Sequence, residues 1–196
     1  MVIACGALAA EIMWLCKANN FTHIALTCLP AKWHNTPDKI APRLEEIIIK
    51  ERKHYAQILI GYGECGTQGA IDRLVEKYAV TRLPGAHCYA FFAGLAAFDA
   101  MMKQEVGSFF LTDYLARFFD SLIIKGFHLE EQHGMKGFLF GNYRRLVYLA
   151  QTQDDALQEK ARAAATYLGL EYHYHFTGYG MLTPALQVQQ EGIWPH

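Results

Sequence analysis

Residues 57–66 read Gln57-Ile58-Leu59-Ile60-Gly61-Tyr62-Gly63-Glu64-Cys65-Gly66. The run up to Ile60 is short and apolar without alternation, as in a strand buried on both faces of a parallel sheet. The glycines after it predict a turn, and the residues from about Thr67 to Tyr78 predict a helix. The same unit of strand, Gly-containing turn and helix recurs on either side. Met1–Ala4 leads into Cys5-Gly6, and Ala79–Leu83 leads into Pro84-Gly85-Ala86-His87-Cys88. The copies share too little sequence to constitute a repeat.

Working outward, Ala7–Ala18 predicts a helix and Thr22–Leu29 a strand halted by Pro30. Thr36 is placed to cap a helix with Pro37 in its first turn, carrying Ile40, Leu44, Ile47 and Ile48 at core spacing. Tyr89–Gln104 reads as one apolar helix and Thr112–Ile124 as an aromatic-rich one, with Asp113 near its N-terminus. Arg145–Ala150 and Glu171–Phe176 read as strands around a helix over Asp154–Leu168, and a short helix closes the chain. Strands alternating with helices across short turns predict βαβ units. The expected fold is a single α/β domain over residues 1–196, a three-layer Rossmann-like architecture whose mostly parallel sheet has helices on both faces.

Composition narrows the function classes. The chain has 196 residues, enough for a substantial core, with 52% hydrophobic and 19% charged residues. A formal net charge of −1 argues against nucleic acid as a partner. No uninterrupted apolar stretch of about 18 residues predicts a membrane span. The apolar start, Met1–Lys17, contains Glu11 and has no basic leader, unlike a secretory signal. An odd count of five cysteines without such a signal points to reduced thiols and a cytoplasmic location.

The cysteines carry the chemistry. In an open parallel sheet the carboxyl ends of the strands line one crevice, where ligands bind. Cys5, Cys65 and Cys88 each follow a predicted strand, so thiols distant in sequence gather at one edge. Three such ligands suit zinc with an open fourth position. They equally suit a [4Fe–4S] cluster with one free iron. The competing reading makes them small residues in tight turns with a lone nucleophile among them, since the spacing contains no C-x-x-C. Helix N-termini after these turns would lower the thiol pKa values. His34, His87 and Glu64 are the candidate acid–base groups, and either histidine is a candidate fourth ligand.

Gly61-Tyr62-Gly63-Glu64-Cys65-Gly66 also matches the G-x-G-x-x-G phosphate pattern. No acidic residue ends the following strand to hold a ribose, and a cysteine interrupts the motif. Gly61, Gly63 and Gly66 are read instead as letting backbone N–H groups approach an anionic substrate group. Arg144 and Arg145 are candidate substrate anchors, with surface charge as the ordinary alternative. Cys16 and Cys28 read as core residues. His173 and His175 share one face at period two, the solvated face of an edge strand.

Taken together, Ala4-Cys5-Gly6, residues 61–66, Pro84-Gly85-Ala86-His87-Cys88-Tyr89, Phe109-Phe110-Leu111-Thr112-Asp113 and Gly141-Asn142-Tyr143-Arg144-Arg145-Leu146 carry a resemblance across nearly the whole chain. It resembles a bacterial and archaeal domain-of-unknown-function family whose members are often encoded beside trimethylamine-type corrinoid methyltransferases and their corrinoid proteins. The resemblance implies a setting in one-carbon and methylated-amine metabolism and supplies no catalytic residues.

The expected function is therefore a metal-dependent enzyme of one-carbon or methyl-group metabolism, a methyltransferase linked to corrinoid proteins. Its zinc would sit on Cys5, Cys65 and Cys88. An iron–sulfur enzyme on the same cysteines is one alternative, and a non-enzymatic module binding a cofactor or a corrinoid protein is another. Expected partners are a small-molecule substrate, a corrinoid protein or methyltransferase, and a second copy of the chain, with neither nucleic acid nor membrane.

Overall fold

A computed structural model describes residues 1–191, with side chains through residue 187. The chain divides into two compact units, Met1–Phe91 with the segment from Tyr179 onward, and Phe92–Gly178. Each unit carries its own parallel sheet surrounded by helices, an α/β Rossmann-like architecture. The alternation predicted one domain; the structure distributes the same alternation over two sheets.

The first unit contains β1 (Val2–Cys5), β2 (Leu26–Leu29), β3 (Leu59–Gly61) and β4 (Thr81–Arg82), in the order β2-β1-β3-β4. All pairings are parallel, with Ala4 opposite both Cys28 and Gly61. β2 is shorter than Thr22–Leu29 because the amides of Phe21 and Thr22 are spent on turn bonds to Cys16 and Asn20. The helices are α1 (Ala9–Ala18), α2 (Ile40–Glu51), α3 (Ala70–Tyr78) and α4 (Cys88–Ala93), the last reaching the boundary of the unit. Ile40, Leu44, Ile47 and Ile48 are buried along one stripe of α2 against Ile3, Ile60 and Ile71. Thr36 makes no capping hydrogen bond, and Pro37 opens a 3-10 turn instead.

The predicted helix over Tyr89–Gln104 is broken at Gly94, whose φ of +84° leaves helical space. α5 (Leu95–Gln104) follows the break. The second unit then holds β5 (Ser108–Leu111), α6 (Asp113–Arg117), α7 (Met135–Phe140), β6 (Arg145–Ala150), α8 (Asp155–Leu168) and β7 (Glu171–Phe176). Its parallel sheet runs β5-β6-β7. Asp154 caps α8 by accepting from the amides of Ala156 and Leu157. The segment predicted as one helix over Thr112–Ile124 is α6 followed by a π turn over Asp120–Ile124. α9 (Leu182–Glu191) belongs to the first unit. Among the described residues no helix is long and apolar enough to cross a membrane.

Candidate functional site

In the first sheet the chain passes from β1 to β2 on one side and later sets β3 on the other side of β1. The carboxyl ends of β1 and β3 therefore flank a topological switch point, where open α/β sheets bind ligands. Cys5 ends β1, and Tyr62 follows β3 directly. Close approach here requires glycine. A Cβ on Gly61 would lie 2.6 Å from the Ala4 Cβ, and one on Gly63 would lie 2.9 Å from the Gly85 carbonyl oxygen. The loop after β3 is bonded to the loop after β4, from Glu64 N–H to the Gly85 carbonyl (3.0 Å) and from Cys65 N–H to the Ala86 carbonyl (2.7 Å). Arg82 secures that second loop, its guanidinium pairing with Asp72 and donating to the Leu83 carbonyl at 2.7 Å.

This geometry collects the thiols. Cys88 lies within electrostatic reach of Cys65 and Cys5, and Cys65 within reach of Cys5. All three are free and largely enclosed by protein. Burial pushes each thiol pKa up, to about 12 for Cys65, with a further rise at Cys65 and Cys88 from the neighbouring cysteines. The expected lowering by helix N-termini is thus overturned: α4 has only six residues, and desolvation outweighs the nearby amides. At neutral pH these are protonated thiols. Cys28, read from sequence as core, is exposed on β2 and still feels Cys5.

Tyr62 is the residue that sequence reasoning missed. It is buried, its hydroxyl makes no hydrogen bond of good geometry, and the group beside it is the Cys5 thiol. Burial, then Cys5, pushes the phenol pKa far up, so Tyr62 stays a neutral donor aimed at the thiols. Its signal in the sequence was its place between two glycines at the end of the central strand.

The loop holding Cys65 is strained. Cys65 (φ +51°) and Gln68 (φ +55°) adopt left-handed conformations beside Gly66 (φ +74°) and Gly69 (φ +76°). Each non-glycine residue there costs about 1–2 kcal/mol. Glu64 holds the conformation. Its carboxylate accepts from the amides of Gly66 (2.9 Å) and Gly69 (3.0 Å), and the Thr67 hydroxyl lies 3.0 Å away. The Gly69 amide does most to keep its pKa low. Glu64, read from sequence as an acid–base candidate, thus holds the loop with a carboxylate kept ionised by its amide donors. The helix begins only at Ala70, so Gly66 lies inside the strained loop and not at a helix N-terminus.

His87 lies within electrostatic reach of both His34 and Glu64. Surrounding protein desolvates both rings and lowers their pKa values, although His34 also presents surface to solvent. Both are neutral at pH 7, the state in which an imidazole accepts a proton or ligates a metal. Among the described residues, no group of three or more His, Cys, Asp or Glu side chains stands in a metal-holding arrangement.

A family model described as "Protein of unknown function (DUF1638)" matches residues 28–186. The chain belongs to the DUF1638 family. That match takes in Cys65, Cys88, His34 and His87 and begins after Cys5. Comparison with curated proteins and with solved structures gives no match.

The arginines have other work. Arg144 and Arg145 stand at the start of β6, on the amino edge of the second sheet. The Arg145 guanidinium is buried and donates to Ser108 Oγ (2.7 Å) and the Met101 carbonyl (3.0 Å). It ties α5 to β5, so the guanidinium read from sequence as a substrate anchor is engaged inside the unit. Arg144 is exposed, and its amide donates to the Gly107 carbonyl at 2.8 Å. At the carboxyl edge of the same sheet Asp113 is buried. Its Oδ1 accepts from the Tyr148 hydroxyl (2.7 Å) and Gln151 N–H (3.0 Å), and its Oδ2 from Thr152 N–H (2.9 Å) and hydroxyl (2.5 Å). The cap of α6 is Thr112.

Proposed function

We propose that the first unit is built around a thiolate centre in which Cys5, Cys65 and Cys88 take up a zinc ion. His87 or His34 would supply the fourth ligand or carry a proton. The observation that supports this reading is that three thiols, each following a different parallel strand, lie within electrostatic reach of one another near the switch point of the sheet. The donor chemistry fits, because zinc favours thiolate and imidazole. The side chains are not preset as a ligand set, so loading would draw them inward and release their protons.

When bound, zinc would act as a Lewis acid toward a substrate heteroatom or thiol. The chain's own residues do the rest. Glu64 fixes the loop that presents Cys65. Tyr62 donates toward Cys5 and steadies negative charge there. His34 and His87, both neutral, are ready to take a proton. We place this site in an enzyme of one-carbon or methyl-group metabolism, a methyltransferase acting with corrinoid proteins. That placement rests on the family resemblance, while the geometry supports the thiol centre.

The test is a zinc competition assay against a chromophoric chelator, with protein purified without oxygen. The unaltered chain is expected to hold about one zinc. Cys65→Ser and Cys88→Ser should each lose it while circular dichroism stays the same. Iron with sulfide in place of zinc would move the assignment to a cluster enzyme, and retention of zinc by both variants would remove the site.

A further inference from the structure

The face of β7 that carries His173 and His175 also carries Glu171, at the same period of two. Opposite these three on β6 stand Val147, Leu149 and Arg145, all buried. The valine and leucine offer no competing ligand, and the Arg145 guanidinium is spent on Ser108 and the Met101 carbonyl. Among the described residues Glu171 has one ionisable partner, with its Oε1 3.0 Å from His173 Nε2. That nitrogen is buried, and the contact is not aligned as a hydrogen bond. A carboxylate oxygen and an imidazole nitrogen at that separation, with no hydrogen bond between them, are spaced like neighbouring ligands of one ion, each about 2.0–2.2 Å from the metal.

We propose that Glu171, His173 and His175 form a second metal site, which takes a divalent transition ion through two imidazoles and one carboxylate. His175 lies two residues beyond His173 and is exposed. The three side chains are not preset as a ligand set. An exposed imidazole turns about its own side-chain bonds, so the set closes without moving the strand. The strand itself is held from its other face, where the Arg162 guanidinium of α8 stacks over Tyr172 at 4.5 Å and Tyr174 packs on Tyr148 at 5.9 Å. Ligands borne on a fixed strand are placed more precisely than ligands on a loop. Two histidines and a carboxylate suit zinc, nickel or ferrous iron and leave coordination positions open. With no thiolate, this is a harder site than the one in the first unit, and it stands or falls independently of it.

Equilibrium dialysis of the full chain against Ni2+ tests it. The Cys65→Ser chain, in which the thiol set is broken, is measured so that nickel on β7 is counted apart from nickel on thiols. It is expected to hold about one ion. Adding His173→Ala or His175→Ala should raise the dissociation constant at least about tenfold, and Glu171→Gln, which trades the carboxylate for a neutral amide, should raise it as well. The same three substitutions in the unaltered chain should remove the same increment of nickel, and circular dichroism checks that each variant is folded. Failure of the thiol centre to take up zinc would leave these results unchanged. A Cys65→Ser chain that is folded and takes up no nickel overturns the proposal. So does nickel held undiminished after either histidine, or Glu171, is replaced.

Discussion

At the carboxyl edge of the second sheet Asp113 meets four donors from Tyr148, Gln151 and Thr152, whereas at the carboxyl edge of the first sheet three thiols and a phenol stand desolvated within electrostatic reach of one another. Both edges follow parallel strands and short turns. One has its polar groups matched and locks α6 to the end of β6. The other gathers protonatable groups in a buried place, beside a strained loop. Full satisfaction is how a buried carboxylate stabilises a fold. Strain and perturbed titration are more often the mark of a site that does chemistry.

The contrast breaks most visibly at Asp113. Asp113→Ala would strand the Tyr148 and Thr152 hydroxyls and two amides, and should cost about 3–5 kcal/mol in urea unfolding. A cost under about 1 kcal/mol would show that the cluster is not the clamp described here. Next comes Gly61→Ala, whose Cβ would press on Ala4 and force β1 from β3. Overpacking of that kind costs about 1–3 kcal/mol and should lower the melting temperature while disturbing the spacing of Cys5 and Tyr62.

Titration sharpens the comparison further. In metal-free protein the thiol pKa values lie above the ordinary 9.0, reaching about 12 at Cys65. The unfolded chain then sheds these protons first, so stability is fully present below pH 9 and declines as pH rises toward 12. Cys65→Ser should make that decline shallower, as read by denaturant midpoints between neutral and alkaline pH. The lowered pKa values of His34 and His87 act in the opposite direction, with stability lost as pH falls below 6.5. The smallest effect is expected at Tyr62→Phe, worth under about 1 kcal/mol in stability. Its signature is chemical. Cys5 would lose the neighbouring hydroxyl that lowers its pKa, and its alkylation at fixed pH, followed by mass spectrometry, should slow.

Much of this was legible in the sequence where local pattern and topology agree. The apolar run through Ile60, the glycines after it and the cysteines past each strand follow from strand burial and turn chemistry, and the structure gathers Cys5, Cys65 and Cys88 at one edge. What stayed hidden depends on contacts between distant segments. Ser108–Leu111 received no strand assignment from local pattern, and its place in the sheet shows only in its pairing with β6. Arg145 and Ser108 are 37 residues apart, so nothing local announces that the guanidinium is already engaged. Glu64 resembles an acid–base group until the amides of its own loop are seen to surround it. The thiol pKa values misled because desolvation is a property of the packed site and not of the turn.

The central claim, a centre of protonated thiols at the switch point that takes up zinc, is tested most directly by the protons it releases. Zinc added to metal-free protein near neutral pH should displace about three protons per ion bound, one from each of Cys5, Cys65 and Cys88. The Cys65→Ser variant should release fewer. Zinc that neither binds nor displaces protons from the unaltered chain would contradict the account, leaving these cysteines as turn residues.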